Sequence, residues 1–510
     1  MAVIDRVQSP SDSPTRPPLN TITVVNPVTC TPIGQVPATS ADEVRAAVER
    51  ARAAQVAWAK RSIKERGDLL KKWSVMMLEA QAELIEIVRR ETGKPDGGAY
   101  EELMVVDMQT HYYAYRAARF LKPEIRKPLI PLAHKAMVFY QPHGVVGVIS
   151  AWNFPLLLGF SDSVAALIAG NAVVLKPSEF TPYTSLFAAD MMYKAGIPRD
   201  VFQVVTGAGE TGAALCDYAD YIAFTGSTAT GRKIAVRCAE RLIPYSLELG
   251  GKDPAIVLRD ADLDRAAAGV VIGALENAGQ ACVSTERVYV DKTVYQPFMQ
   301  KLLARLETFK VGSENGYHVD MGCMTTEREL SRAEDHIQDA LAKGAQIVYG
   351  GKRRPDLGPR FIEPTVLVNV NHDMKVMREE TFGPLIPIMT FDSEDEAIRL
   401  ANDTEYGLSA CIYTRDFKKA RKLALQIITG DVTVNRPMLA FGSAGAPMGG
   451  RKNSGIGRRN GREGLLRFVV PQTVVTDNGL AGKLGNNQWD SRTLFFASTA
   501  QKLRRFLPFI

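Results

Sequence analysis

The chain reads as an α/β protein, a doubly wound parallel sheet followed by a second α/β unit with a small β excursion, and three observations predict this. From Gly144 onward, short continuous apolar runs alternate with helix-length segments, the pattern of strands covered on both faces by crossover helices. The same alternation starts again after Gly250. Two of the strand-to-helix turns are built from glycine and other small residues, which lets backbone approach a ligand closely.

Ser40 and Glu43 form a capping-box signature before Val44-Arg45-Ala46-Ala47-Val48, so a helix starts there. A second helix is expected over 63–91, stopped by Gly93-Lys94-Pro95, and a third over about 99–120. Strands follow at 145–150, 171–176, 201–205, 221–224 and 245–248, bracketing helices such as 184–194 and 230–240. The second series places strands at 254–258, 287–290, 365–367, 385–389 and 410–413, with a domain boundary near Gly250-Gly251. The alternating run 467–476 predicts a late strand, and 136–140 a strand that pairs with it; exposed edges of this sort often join subunits.

At 510 residues, 46% hydrophobic and 23% charged, the composition is that of a globular protein with two or three sizeable cores. The net charge of +6 comes from 62 basic and 56 acidic residues interleaved along the chain, which excludes a nucleic-acid stripe. Six cysteines without a C-x-x-C pair argue against a disulfide framework and fit a reducing cytoplasm. Six histidines without an H-x-x-x-H or a Cys/His cluster predict no metal site. Residues 1–20 are rich in Ser and Pro, lack the apolar core of a signal peptide and read as a disordered arm. No stretch approaches the roughly 18 apolar residues of a spanning helix. The tail, 491–510, mixes bulky apolar and basic residues. It reads as a segment packed on its own protein or a neighbouring subunit, or else as a peripheral membrane contact.

Chemistry concentrates at two places. Cys282, in Asn277-Ala278-Gly279-Gln280-Ala281-Cys282, is a thiol with small neighbours. Glu248, 34 residues earlier, is a carboxylate followed by Leu249-Gly250-Gly251-Lys252. Such a pair suits covalent attack on a carbonyl, with a base to activate the thiol or a later water. Gly207-Ala208-Gly209-Glu210-Thr211-Gly212 follows a strand and opens a helix, close to the G-x-G-x-x-G spacing of dinucleotide sites. Phe224-Thr225-Gly226-Ser227-Thr228-Ala229-Thr230-Gly231 repeats the arrangement, and amides at a helix start can hold a pyrophosphate. Asn153, Lys176, Thr225-Gly226-Ser227 and Glu248 all fall at the carboxyl ends of predicted strands, where doubly wound sheets bind ligands.

Seven motifs occur in order: Trp152-Asn153-Phe154-Pro155, Lys176-Pro177-Ser178-Glu179, Phe224-Thr225-Gly226-Ser227, Glu248-Leu249-Gly250-Gly251-Lys252, Asn277 to Cys282, Glu380-Thr381-Phe382-Gly383-Pro384 and Ser454-Gly455-Ile456-Gly457-Arg458. Over about 21–477 the chain resembles the NAD(P)-dependent aldehyde dehydrogenases, nearest their succinate-semialdehyde dehydrogenase-like branch, which also shares Ala446-Pro447-Met448-Gly449-Gly450. The resemblance implies a Rossmann-like cofactor domain over 21–132 and 145–250, oligomerisation strands at 133–144 and 469–490, and a catalytic domain over 251–435. It also implies a return and substrate-tunnel loop over 436–468.

The catalytic set implied is Cys282 as nucleophile, Asn153 as oxyanion donor with the Cys282 N–H, Glu248 as base for the deacylating water, and Lys176. The carboxylate at Glu248 argues against acyl-CoA-forming relatives, which commonly lack it. The cofactor set implied is Ile149, Ser150, Ala151, Trp152, Lys176, Ser178, Glu179, Gly209, Phe224, Thr225, Gly226, Ser227, Leu249, Glu380 and Phe382. Glu179 would repel a 2′-phosphate, which favours NAD over NADP, with Lys176 tempering the preference. Leu157, Leu158, Ser161, Val283, Phe441 and Met448 would line the aldehyde tunnel. Where many relatives carry Phe, this chain has Leu275 and Met448.

Two substrates follow, a short semialdehyde such as succinate semialdehyde, or a medium- or long-chain aliphatic or aromatic aldehyde. A distal carboxylate calls for a cation; Arg436 and Arg287 are candidates by sequence proximity only, and a surface or structural ion pair accounts for each more simply. A homodimer or homotetramer is expected. A catalytically silent structural relative would be expected to lose Cys282 or Glu248, and both are present.

Overall fold

The computed structural model describes residues 20–129 and 133–479 together with Phe495, Ser498, Thr499, Gln501 and Lys502. The expected arm at 1–20, apart from Asn20, the stretch 480–490, and the tail at 491–510, apart from those five residues, lie outside the described residues. A hairpin of β1 (Thr21–Val25) and β2 (Pro32–Pro37), absent from the expected elements, opens the described chain. Ser40 then caps the helix Ala41–Lys60: its hydroxyl accepts from the Glu43 amide, and the Glu43 carboxylate accepts from the Ser40 amide at 2.8 Å.

The helix expected over 63–91 is two helices, Ile63–Glu79 and Gln81–Thr92. Ala80 leaves the helical region (φ −93°, ψ 17°), and the resulting turn lets both pieces pack on the helix Pro182–Ala195. Gly93 closes the second piece in the left-handed conformation (φ 77°), and Asp96–Phe120 follows.

After β3 (Glu124–Arg126) and β4 (His134–Pro142), the first sheet is laid down by β5 (Val145–Ile149), β6 (Ala172–Lys176), β7 (Phe202–Val204), β8 (Tyr221–Thr225) and β9 (Tyr245–Glu248). These five are mutually parallel in the order β9-β8-β5-β6-β7. Every residue of β5, β6 and β8 is buried, which is why they read as unbroken apolar runs. The chain winds outward from β5 and then returns to β8 on its other flank, so the switch point, and the crevice it opens, lies beyond the carboxyl ends of β5 and β8.

The second sheet uses β10 (Asp253–Val257), β11 (Thr285–Asp291), β12 (Gln346–Tyr349), β13 (Thr365–Val368), β14 (Leu385–Phe391), β15 (Cys411–Tyr413) and β16 (Thr433–Val434). Its order is β12-β13-β14-β11-β10-β15-β16, parallel except for the antiparallel edge strand β12. The chain then returns: β17 (Gly455–Ile456) pairs antiparallel with β9. β18 (Val469–Asp477) lies antiparallel on β4 from Val469 opposite Pro142 to Asp477 opposite His134, the expected partner. Each sheet has its own core, with Trp58, Trp73 and Phe160 in the first and Tyr289, Phe298 and Phe391 in the second.

A buried ion cluster ties the returning segment to the first unit. Asp162, on the helix Pro155–Ile168, accepts from Arg459 at 2.7 Å and from Arg467. Arg459 also donates to Thr225 Oγ1 at 2.6 Å, and Arg467 to Ser246 Oγ at 3.0 Å. Burial alone would raise the Asp162 carboxyl, but the two guanidiniums hold it below its ordinary value. Removing one partner of such a cluster strands buried charge, so Asp162→Ala is expected to cost about 3–5 kcal/mol, read as a lowered denaturant midpoint. Arg52→Ala, which breaks the exposed Arg52–Asp220 pair, is expected to cost about 1 kcal/mol or less in the same assay.

Candidate active site

A cavity of about 640 Å³ opens at the switch point. Ile149, Ser150, Ala151, Trp152, Lys176, Ser178, Glu179, Gly209, Phe224, Thr225, Gly226, Ser227, Leu249, Glu380 and Phe382 all line it, and so do Asn153, Glu248 and Cys282. Residues spread from 149 to 382 thus meet in one crevice because strand ends converge there. Lys233 and Arg237, one turn apart on the helix Thr228–Glu240, line it as well. Arg328, Glu329 and Arg332 on Glu327–Ala342 line it too. These were not among the expected contacts; their only signal in the sequence is spacing on one helical face, which surface residues share.

The walls fit a dinucleotide. A β-carbon added at Gly209, the first residue of the helix Gly209–Tyr218, would meet nothing within 4 Å, so the turn leaves room beside a helix start. The helix Thr228–Glu240 begins just past Gly226, with the Ser227 hydroxyl accepting from the Thr230 amide at 3.3 Å. Lys176, at the end of β6, donates to the Pro177 carbonyl at 2.8 Å, stands 3.6 Å from the Glu179 carboxylate and lies against Gly212. Burial lowers its pKa. Lys176 and Glu179 thus stand side by side at the cavity wall. At the other wall the Glu380 carboxylate accepts from the Gly251 amide at 3.1 Å, and a β-carbon at Gly250 would come within 2.4 Å of it. Phe382 takes a left-handed φ of 56° and meets Trp152 edge-on at 5.6 Å. That turn is set by Glu286, which pairs with Lys252 at 2.6 Å and accepts from the Thr381 and Phe382 amides.

Cys282 follows a short turn over Glu276–Gly279 in which Asn277 (φ 51°), Ala278 (φ 56°) and Gly279 (φ 71°) are all left-handed. Gln280 staples this turn: its side-chain amide donates to the Asn277 carbonyl at 2.8 Å, and its Oε1 accepts from the Thr325 amide. Asn153 lies opposite. Its Nδ2 donates to the Gln280 carbonyl at 2.9 Å, so it does not cap the helix from Pro155, whose N-cap is Phe154 without a side-chain bond. One N–H of that amide is left for a ligand.

Cys282 keeps part of its surface toward the cavity while protein surrounds it elsewhere. That burial, with the Glu380, Asp253 and Glu248 carboxylates nearby, pushes the thiol well above its ordinary value. Glu248 ends β9, and neither of its oxygens accepts a hydrogen bond among the described residues, so it does not bind the amides of Gly250 or Gly251. Burial raises its pKa to about 7, with Arg459 and Arg467 opposing. An unpaired carboxyl poised near neutrality is equipped to take a proton from water.

The expected tunnel residues divide. Val283 and Met448 form a small apolar cluster with Leu408, against which Cys282, Met438 and Phe441 pack. Leu157, Leu158 and Ser161 lie buried on the helix Pro155–Ile168, with both leucines in the first core, and none of the six tunnel candidates lines the 640 Å³ cavity. Arg287 is fully buried, and its guanidinium is spent on the carbonyls of Lys252, Leu400 and Ala401; it cannot receive a substrate carboxylate. Arg436 is exposed. Among the described residues no group of His, Cys, Asp and Glu could hold a metal ion.

A family model described as the aldehyde dehydrogenase family matches residues 15–474. The chain is 44% identical over 447 residues to a Mycobacterium ulcerans (strain Agy99) protein named "Putative succinate-semialdehyde dehydrogenase (NADP(+)) 2", covering 87% of this chain and 86% of that one. It is 39% identical over 497 residues to the 4,4'-diapolycopene aldehyde oxidase of Methylomonas sp, covering 96% and 92%. Among solved structures, an NAD-dependent aldehyde dehydrogenase from Sinorhizobium meliloti superposes with a TM-score of 0.88 at 36% identity, covering 92% of this chain and 93% of that chain.

The left-handed turn is testable. A β-carbon at Gly279 would sit 2.2 Å from the Gly383 carbonyl oxygen, in a backbone region side chains avoid. Gly279→Ala is therefore expected to cost about 1–3 kcal/mol in thermal stability and to change the rate at which iodoacetamide labels Cys282.

Proposed function

The chain belongs to the aldehyde dehydrogenase family, and on that premise we propose how its own residues turn an aldehyde into a carboxylic acid. The observation that carries the proposal is the meeting, in one dinucleotide-sized cavity, of a thiol, an amide with a spare N–H and a buried unpaired carboxyl. The Cys282 thiol gives up its proton to solvent through the open side of the cavity as its sulfur adds to the aldehyde carbon. The Asn153 amide and the Cys282 N–H receive the developing oxyanion, a contact worth roughly 3–4 kcal/mol per donor in the transition state. NAD(P), held by Lys176, Glu179, Gly226, Ser227 and Glu380, supplies the hydride acceptor. Glu248 then takes the proton of the water that cleaves the thioester and releases the acid.

For the substrate we infer a short semialdehyde such as succinate semialdehyde, supported by the name of the Mycobacterium ulcerans relative. A second reading, a medium- or long-chain apolar or aromatic aldehyde, is favoured by one observation. The side chains grouped beside Cys282 are Val283, Leu408, Met438, Phe441 and Met448, none of them a cation. The Methylomonas relative's name points the same way. For the cofactor we infer NAD over NADP from the Glu179 carboxylate at the ribose position; Lys176, Lys233 and Arg237 in the same cavity act against that preference, as does the NADP(+) in the Mycobacterium relative's name. A homodimer or homotetramer joined through β18 is supported by its exposed apolar residues, Val470 and Val474 on one face and Val475 on the other. A cytoplasmic enzyme is supported by six free cysteines. Among the described residues no helix is long and apolar enough to cross a membrane, and peripheral contact through the tail stays a proposal whose test is liposome partitioning after deletion of 494–510.

Two experiments test the roles. In stopped flow, Cys282→Ala is expected to lose turnover with NAD binding intact, and Glu248→Gln to keep a first-turnover burst while steady turnover falls about 10²-fold or more. Because the base acts as carboxylate, wild-type turnover should rise with pH through about 7. Glu380 titrates in the same range, so the limb must vanish in Glu248→Gln and survive in Glu380→Gln. In a specificity panel, succinate semialdehyde is expected to exceed hexanal, decanal and benzaldehyde in kcat/KM, and NAD to exceed NADP. The reverse order would select the apolar reading, and a tenfold preference for NADP would overturn the cofactor assignment.

A further inference from the structure

Lys94 and Glu102 are wholly buried, with side-chain exposure of 0% each, and paired at 2.5 Å. Neither belongs to a motif that brings chemistry to the cavity, and neither lines it. Buried ion pairs seldom add stability over apolar side chains of the same volume, so their partners are informative. The Lys94 ammonium has three N–H directions: one meets Glu102 Oε1, a second the Asn153 carbonyl at 2.8 Å, and the Phe154 ring lies 4.1 Å away. Glu102 Oε2 accepts from the Leu156 and Leu157 amides at 3.0 and 3.1 Å. Those are first-turn amides of a helix whose N-cap, Phe154, offers no acceptor and whose first residue is Pro155. Glu102 therefore caps that helix from a different helix, Asp96–Phe120. The second lone pair of the Asn153 carbonyl is taken by Asn277 Nδ2 at 2.9 Å.

We propose that Lys94 and Glu102 are positioning residues for Asn153: the ammonium and the Asn277 amide grip its carbonyl from the two sides of the cleft, while Glu102 fixes the helix start that follows, so that the Asn153 amide is aimed at the aldehyde oxygen. This rests on the aldehyde-oxidising reading. An apolar pair in their place would fill the volume but leave the Asn153 carbonyl and two helix amides short of partners. A small shift of Asn153 would then weaken oxyanion binding without touching the cofactor walls.

The test compares Lys94→Met, the double variant Lys94→Met/Glu102→Met and Lys94→Arg with wild type. The double variant carries no orphaned buried charge, so loss of the fold does not mask the outcome. Two rates are read per Cys282 titrated by burst amplitude: oxidation of the best aldehyde, and hydrolysis of p-nitrophenyl acetate, which can acylate Cys282 without NAD. Both are expected to fall roughly tenfold or more in the two Met variants, with the NAD Kd within twofold of wild type and part of the rate restored in Lys94→Arg. Rates per titrated site within twofold of wild type, whatever the loss in Tm, would overturn the proposal and leave a structural ion pair. Should wild type oxidise no aldehyde, the underlying reading fails, and the ester rates alone decide whether Lys94 and Glu102 aim Asn153.

Discussion

The site depends on a left-handed backbone run, Asn277, Ala278 and Gly279, that no isolated peptide would hold. Two residues with β-carbons at φ 51° and 56° are costly, and the bonds that offset the cost come from both units of the molecule. The Asn277 amide reaches the Asn153 carbonyl in the first unit, and the Gln280 side chain is anchored by the Thr325 amide in the second. The nucleophile is therefore placed by the seam. Arg459 and Arg467, which close on Asp162, bind the returning segment to the first unit behind Glu248.

That geometry creates the electrostatics. Burial in a seam raises carboxyls, and where Glu248 and Glu380 would ordinarily be charged far below neutrality they are pushed to about 7. Glu286 could have been equally costly, but Lys252 and two backbone amides satisfy it, and it becomes the rigid floor under Glu380 and Phe382. Fully partnered carboxylates build the frame, and the unpartnered one is left to exchange a proton.

Much of this was legible before any coordinates. Strands buried on both faces announce themselves as unbroken apolar runs, so β5, β6, β8, β10, β11, β13, β14 and β15 stand where the pattern puts them, whereas the half-exposed edge strand β12 and the two-residue β16 carry no such run. What escaped did so for physical reasons. The break at Ala80 involves neither glycine nor proline, and the helical period runs through it. Arg287 looks like a spare cation until β11 is seen to be buried along its whole length, where a guanidinium can only serve backbone carbonyls. Arg328 and Arg332 reach the cavity from a helix of the other unit, a tertiary fact that no local spacing encodes.

The raised Cys282 thiol has a last consequence, for durability. Peroxide and other oxidants attack thiolates far faster than thiols, and a resting sulfur held in its protonated form by burial and three neighbouring carboxylates is a poor target. Burial thus sets the resting sulfur toward the thiol, and attack on a carbonyl carries the cost of removing that proton.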